Sequence, residues 1–561
     1  MGTSRVRWAL LLTTALAAWQ AGPARAQGTD ARMNAIEAQI RSLQSELARV
    51  RRDLRAARAR PRPPAPAPVA AASGKPGGAP AAGGGPGLQL PASFQPGGPG
   101  GQGGAAGGAQ DATARQQSGQ ASGPLGEFQI GAARVQLGGF IEAAGIFRTR
   151  NEVADIASTF SGIPEGNSVL AHENEFRASA RQSRLSLLVQ ASPSDHVNLA
   201  AYFETDFLGA APTANSNESN SYNLRLRQAY AQYDDTSLGL HVLGGQAWSL
   251  LTLYKKGIEP RQEDVPLTID AQYVPGFTWA RQAQLRVAKD FLHHRLWLAA
   301  SLEEPQTTYF VGPNGAGTAA GTANFNNPGG ANLNPSNNYS TDIAPDIVLK
   351  AAWDPGFGHY ELYGVARFMH DRVSVIGSGN SRTVLAGGGG AATIIPVIPK
   401  VLDFQASVLA GYGIGRYGSG QLPDATLDAS GSPRPLPEVE ALVGLIGHPI
   451  PTVDVYGYVG TEQVSRRSFV SGGKGYGYGN PLYVNTGCGT ELSTVGCVAN
   501  TSGLVQGSVG SWWRFIHGPY GTMQVGGQYS YTRRDIFRGI GGARGTDENV
   551  FLVSFRYAPF Q

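Results

Sequence analysis

The chain has 561 residues, 77 of them glycine, with 41% hydrophobic residues and a formal net charge of +4. So small a charge excludes a nucleic-acid binder led by bulk charge. Two cysteines, Cys488 and Cys497, exclude a zinc constellation and a disulfide-dense scaffold alike.

Residues 1–26 read as a signal peptide. Arg5 and Arg7 form a basic start, "WALLLTTALAA" is a short apolar run, and Ala24–Arg25–Ala26 is a cleavage site of the A-x-A kind, which places the expected mature start at Gln27. The apolar run is too short for a spanning helix of about 20 residues. No later run of that length and apolarity occurs, so no helical span is expected, and export in a Gram-negative cell is.

Residues 30–60 read as one helix with a coiled-coil seam. Met33, Ile36, Ile40, Leu43, Leu47, Val50 and Leu54 are spaced alternately three and four apart, which is the a/d repeat. Glu46 with Arg51, and Asp53 with Arg58, sit at g and the following e position, where they can bridge parallel neighbours. Mixed Ile and Leu at both a and d is compatible with a trimer. Residues 61–125 run "PRPPAPAPVAAASGKPGGAP" and then "GGPGGQGGAAGG". A stretch without bulky apolar residues cannot bury enough to fold, so it reads as a linker that gives the helix reach.

From residue 126 to 561 the recurring pattern has period two. In "VNLAAYFETDF" Leu199 and Phe203 oppose Tyr202, Glu204 and Asp206. In "NLRLRQAY" Leu224, Leu226 and Tyr230 oppose Arg225 and Arg227. In "GTMQVGGQYSY" Val525, Tyr529 and Tyr531 oppose Gln524, Gln528 and Ser530. Connections alternate short and long. The long ones run over about 149–175, 209–221, 249–277, 304–345, 370–390, 418–437, 464–501 and 533–547. Eight long loops and seven short turns join about 16 strands, which is the rhythm of an outer-membrane barrel with tight periplasmic turns and large external loops. The expected fold is therefore all-β: a 16-stranded antiparallel transmembrane barrel behind a coiled coil and a linker. The closing "ENVFLVSFRYAPFQ" puts Phe551, Val553, Phe555 and Tyr557 on one face and ends near Phe560.

The related segments "ARQSRLSL" and "ARQAQLRV" orient two strands. Leu185, Leu187, Leu285 and Val287 face lipid, while Gln182, Arg184, Ser186, Gln282, Gln284 and Arg286 face the lumen. Alternation also assigns Arg225, Arg227, Arg367, Arg514, Glu142, Glu204, Asp206, Glu361, Asp454 and Glu462 to the pore lining. Basic and acidic groups on opposed walls would set selectivity by a transverse field. The arginines favour anions, carboxylates above all, because a guanidinium holds a carboxylate bidentately. Tyr202, Trp248 and Trp297 line the pore or sit at its rim.

One long loop is expected to fold inward and narrow the channel. The candidates are 249–277, with Lys255, Lys256, Arg261, Glu263 and Asp264, and the Asn-rich 304–345. Cys488 and Cys497 lie in one external loop and should form a disulfide in an oxidising compartment. "GIGRYG" at Gly413 fits a dinucleotide fingerprint by spacing, but no crossover helix follows it. His293 and His294 have no further ligand at metal spacing. No catalytic motif is present, so neither an enzyme nor a cofactor or metal is expected.

The motifs "ARQSRLSL", "TDFLG", "LRLRQAYAQY", "GGQAWSLL" and "SFRYAPFQ", together with the signal peptide, coiled coil and barrel, resemble the DcaP-like outer-membrane porins. The resemblance implies homotrimers with an N-terminal periplasmic coiled coil, and passive uptake of small polar, often negatively charged solutes. The linker here is longer than that family leads one to expect. The competing reading is a structural barrel that anchors a helix tethered to peptidoglycan, with little channel activity. The expected partners are outer-membrane lipid, two further copies and small polar or anionic solutes.

Overall fold

The computed structural model describes residues 126–209, 223–314, 317–318, 321–324 and 338–560. The expected signal peptide, coiled-coil seam and linker lie outside them. The described residues belong to one compact unit, Gly104–Gln561.

Sixteen strands follow one another around a closed antiparallel barrel. They are β1 (Ala133–Arg148), β2 (Glu175–Ser179 continued by Arg184–Ala191), β3 (Val197–Gly209), β4 (Asn223–Asp235), β5 (Leu240–Trp248), β6 (Arg281–Phe291), β7 (Leu296–Glu303) and β8 (Asp346–Trp353). The second half is β9 (His359–Val375), β10 (Ser378–Ile398), β11 (Leu402–Tyr412), β12 (Pro437–Ile450), β13 (Val453–Val464), β14 (Thr501–Gly518), β15 (Gly521–Ile536) and β16 (Thr546–Ala558). β16 closes on β1 in a register from Ile141 opposite Tyr557 to Arg148 opposite Val550. Below this seam Glu127–Ile130 folds back on the start of β1. Gly126 abuts the Phe560 ring so closely that a Cβ there would lie 2.8 Å from it. The chain end is thereby held beside the first strand.

The alternation decides what surrounds this barrel. Leu185, Phe203, Leu285, Leu349, Leu362, Val459 and Val553 are exposed on the outer wall, while Glu204, Arg286, Gln524 and Ser530 are buried inside. An apolar belt of this extent around a polar interior is stable only in hydrocarbon, and closure removes the unpaired edges that lipid cannot solvate. Aromatic residues gather outside at the short-turn end: the rings of Trp353 and Tyr360 lie 5.9 Å apart, and those of Trp513 and Phe515 lie 5.6 Å apart. Such a girdle marks a membrane interface.

Two expectations are corrected. Residues 370–390 are not a long loop. They form the top of a tall hairpin in which β9 and β10 pair without interruption from His359 opposite Ile394 to Val375 opposite Ser378. Ile376 and Gly377 make the turn, with Gly377 at φ +80°. The polarity of "HDRVSV" and "NSRTV" marks where the strands leave lipid, not where they end. Tyr230 does not share a face with Leu224 and Leu226 but is buried inside. The pairing of β3 with β4 slips between Glu204 and Thr205, so Arg227 is an extra residue and the alternation changes face after it.

At the long-loop end the loops pack on one another. Thr308–Phe310 pairs with Asn338–Tyr339 and with Ala425–Leu427, which in turn pairs with Pro433–Pro435. Cys488 and Cys497 are joined by a disulfide with Cα atoms 4.8 Å apart.

Candidate functional site

The loop from Ser249 to Ala280 enters the barrel. Its two ends lie side by side, since Trp248 pairs with Arg281 across β5 and β6. Its apolar side chains Leu250, Leu251, Tyr254, Ile258, Val265, Leu267, Ile269 and Phe277 are all buried. Lumen-facing side chains seat it by accepting its backbone N–H groups. Leu250 donates to Glu303 Oε1 at 2.8 Å, Tyr254 to Glu361 Oε1 at 3.0 Å, and Gly257 to Asp354 Oδ2 at 3.0 Å. Asp354 belongs to the short turn after β8, so the loop descends to the short-turn end. The returning half crosses to the far wall. There Leu267 donates to the Tyr458 hydroxyl at 3.1 Å, Ile269 to Gln528 Oε1 at 2.5 Å and Gly276 to Glu462 Oε1 at 2.8 Å. Trp512 returns a bond from its indole N–H to the Leu267 carbonyl at 2.8 Å.

Of the five charged residues expected at a constriction, Lys255, Lys256 and Asp264 border a cavity of about 530 Å³ that also touches His293, His294, His359 and Asp354. Arg261 donates to the Tyr230 hydroxyl at 2.9 Å and lies over the Tyr202 ring. Glu263 is buried and bridges back to Tyr254. The described part of the other candidate loop, 304–345, stays at the long-loop end, where the Pro305 carbonyl accepts from Arg367 at 3.1 Å.

The expected pore-lining side chains all project inward from their strands, and most of them pair with side chains of a neighbouring strand or loop. Glu204 and Asp206 of β3 meet two arginines of β4: Arg227 Nε is 2.5 Å from Glu204 Oε1, Arg227 Nη1 is 3.0 Å from Asp206 Oδ2, and Arg225 Nη2 is 2.6 Å from Asp206 Oδ2. Arg184 of β2 adds a 3.7 Å contact to Glu204. Arg367 bridges Asp346 at 2.9 Å and Asp424 at 2.6 Å. Glu361 is 2.6 Å from Lys350 Nζ and 3.1 Å from His359 Nε2. Asp454 binds Arg514, with Nη2 at 3.2 Å, and His448 at 2.7 Å. Glu142 binds Arg556 at 3.0 Å. Arg286 donates to Gln284 at 3.0 Å and to the Tyr254 hydroxyl of the loop.

Sequence reasoning missed several of these partners. Lys350 in "DIVLKAAW" and Arg556 in "VSFRYA" follow the same alternation and were legible. Arg281, stacked 5.0 Å over Trp248 and 5.2 Å over Trp279, and Asp424, on a loop, were not. Also missed were Glu438 and Glu440. Glu440 stands directly opposite Glu462 across β12 and β13. Glu438, Glu440 and Glu462 are buried and enter no ion pair among the described residues. They hold loops instead: Glu438 Oε2 accepts from the N–H groups of Ile414 and Gly415, Glu440 from the Thr278 hydroxyl, and Glu462 from Gly276 and Gly420. The "GIGRYG" segment thus binds a carboxylate of its own barrel wall.

Around the ring β12 lies eight strands from β4, on the facing wall. Arg184, Arg225, Arg227 and Arg281 outnumber Glu204 and Asp206 on one side, and three carboxyls that form no ion pair among the described residues face them. The returning loop lies between. Thr268, Asp270 and Tyr273 share with Arg184 and Arg227 a space of about 20 Å³, room for one water rather than a solute.

No protein-family model matches the chain, and no curated protein matches it. Solved structures do. The outer membrane channel DcaP of Acinetobacter baumannii aligns at 16% identity with a TM-score of 0.54, over 77% of this chain and 100% of that one. OmpT, an outer membrane protein of Vibrio cholerae, aligns at 8% identity and TM-score 0.40, over 77% and 99%. The anion-selective porin from Comamonas acidovorans aligns at 8% identity and TM-score 0.41, over 76% and 99%. With its closed ring of 16 antiparallel strands, the chain has the fold of a DcaP-like outer-membrane channel.

Proposed function

We propose that the protein is an outer-membrane porin, a water-filled passage for passive diffusion of small polar solutes with a preference for anions and carboxylates. The observation that carries this reading is a closed barrel with an apolar exterior, an interior lined by charge, and one long loop folded inside. A barrel of this strand number leaves room for an aqueous channel, and the inward loop sets how much of that room is open. The arginine-rich wall facing three carboxyls supports the anion preference through the field it sets across the lumen, which acts on a passing solute without direct contact. Arg184, Arg225, Arg227, Arg286, Arg367, Arg514, Glu142, Glu204, Asp206, Glu361, Asp454 and Glu462 are proposed to shape the polar lining, with Lys255, Lys256, Arg261, Glu263 and Asp264 on the constricting loop. The protein assembles as a homotrimer whose coiled coil stands in the periplasm, and it performs no catalysis.

Purified full-length protein in a planar bilayer tests the reading. Discrete conductance steps are expected, and a KCl gradient should give a reversal potential of the sign for chloride preference. Absence of any step defeats the porin reading, and cation preference defeats the anion assignment. Crosslinking with and without Met33–Leu54 tests the helix: loss of the trimer band on deletion is expected.

A further inference from the structure

On the outer wall β10 outruns its neighbour. β11 ends at Tyr412, which pairs with Gly387, whereas β10 continues from Ala386 up to Ser378 with β9 as its one paired strand, and Arg382 donates to the Ser430 hydroxyl from the upper part of this stretch. Between that flank and Pro433–Pro435 lies a groove of about 440 Å³. Val384, Leu385, Ala386, Gly387 and Tyr412 line it, and Arg434 and Arg467 stand at its rim. Leu385 and Tyr412 are 68% and 51% exposed on the lipid-facing side, so the groove opens outward and runs into the apolar belt below.

The rim is cationic. Arg467 packs 5.6 Å over the Tyr412 ring and enters no ion pair among the described residues. Arg434 lies over Phe469 and gives Nε and Nη2 to Asp428 at 2.9 and 2.7 Å, which leaves Nη1 unengaged among the described residues. An aromatic platform holds a guanidinium flat while leaving its edge donors for an anion, and that planar fork matches phosphate oxygens. A free anion has no use for the apolar trough, and an apolar chain has none for the arginines. One molecule that carries both parts satisfies both.

We propose that this groove binds a phosphorylated acyl lipid of the outer leaflet, with an acyl chain against Leu385 and Tyr412 at the lower end of the groove, where it meets the apolar belt, and a phosphate on Arg467 and Arg434. The proposal rests on the outer-membrane reading, which places the long-loop end outward. It does not depend on what passes through the lumen.

The test uses full-length protein in neutral detergent micelles doped with bis-phosphorylated lipid A, with binding read by native mass spectrometry and by the lipid-induced rise in Tm. Arg467→Ala should weaken binding by about tenfold, the factor given by losing roughly 1.4 kcal/mol of charge-assisted contact. Arg467→Lys should fall between, and R434A/R467A should remove the specific component. Lipid A stripped of phosphate should bind wild type no better than lipid A binds the double variant, and inorganic phosphate at equal concentration should neither bind nor raise Tm. Unchanged affinity in R467A and in R434A/R467A overturns the proposal. So does equal binding of the dephosphorylated lipid, competition by inorganic phosphate, or crosslinking from Leu385→Cys to a second copy, which would make the groove an interface. Conductance of the same variants is the control: wild-type steps in R467A show an intact barrel, while arginine-dependent lipid binding by a protein without conductance refutes the channel reading alone.

Discussion

Removing the inward loop should open the lumen. Trp248 and Arg281 are paired neighbours, so a four-residue Gly/Ser linker can replace Leu253–Phe277 without moving a strand. Strands about 4.8 Å apart and tilted by about 40° close a 16-stranded ring with a backbone radius of roughly 16 Å, and inward side chains leave an open radius of roughly 10 Å. The descending and returning halves of the loop, each about 10 Å across with side chains, occlude about half of that section. Single-channel conductance in 1 M KCl should therefore rise by about twofold on excision, since current follows open cross-section. Loss of the packing around Trp248, Tyr458 and Trp512 should lower Tm, and far-UV circular dichroism with a heat-modifiability gel establishes that the barrel has formed. Tyr273→Ala with Phe277→Ala removes a smaller wedge and should give a smaller increase. A folded excision variant with wild-type conductance would refute the assignment of this loop as the constriction.

Replacing Glu438, Glu440 and Glu462 together by Gln keeps acceptors for the loop N–H groups while removing the facing carboxyls. The chloride-to-potassium permeability ratio should rise by about two- to threefold, and an unchanged reversal potential would count against the facing-wall field. Glu440→Gln alone relieves two carboxyls held directly opposite each other, so Tm should stay level or rise, by about 0.5 kcal/mol in stability; a clear fall would mean the pair is favourable as it stands. In the 304–345 loop, burial pushes the Asp342 carboxyl up to about 6. The folded state then holds a proton that the unfolded chain releases near pH 4, so this group's contribution is fully present below that pH and declines as pH rises toward 6. Asp342→Asn should flatten the Tm decline over that window, and an unaltered slope excludes Asp342 as its source. Opening the Cys488–Cys497 link by Cys→Ser at both positions should cost about 2–3 kcal/mol for so short a loop, read as faster proteolysis within 465–500 with the barrel intact; an unchanged cleavage rate would show that the link does not constrain this loop.

Much of this protein follows from local pattern. Period-two alternation separated the lipid face from the lumen face at Leu185, Phe203, Leu285 and Val553, because a pleated strand has only two sides and the barrel meets hydrocarbon on one of them. The rhythm of short and long connections located the strands for the same reason. Local pattern misled where geometry departed from the regular pleat. The extra residue at Arg227 turned Tyr230 inward, and the polar top of β9 and β10 looked like loop because polarity reports exposure to water, not the end of hydrogen bonding. Pairing across the ring had no signature in the chain. Asp424 reaches Arg367 from a loop, Glu462 holds Gly276, and Glu438 to Glu462 come to face Arg184 to Arg281 only because a closed sheet of sixteen strands sets β12 opposite β4. Which long loop enters the lumen was likewise a tertiary matter: both candidates carry polar residues, and 249–277 packs Val265, Leu267, Ile269 and Phe277 in one cluster with Trp248, Tyr458 and Trp512, walls that exist only once the barrel has closed.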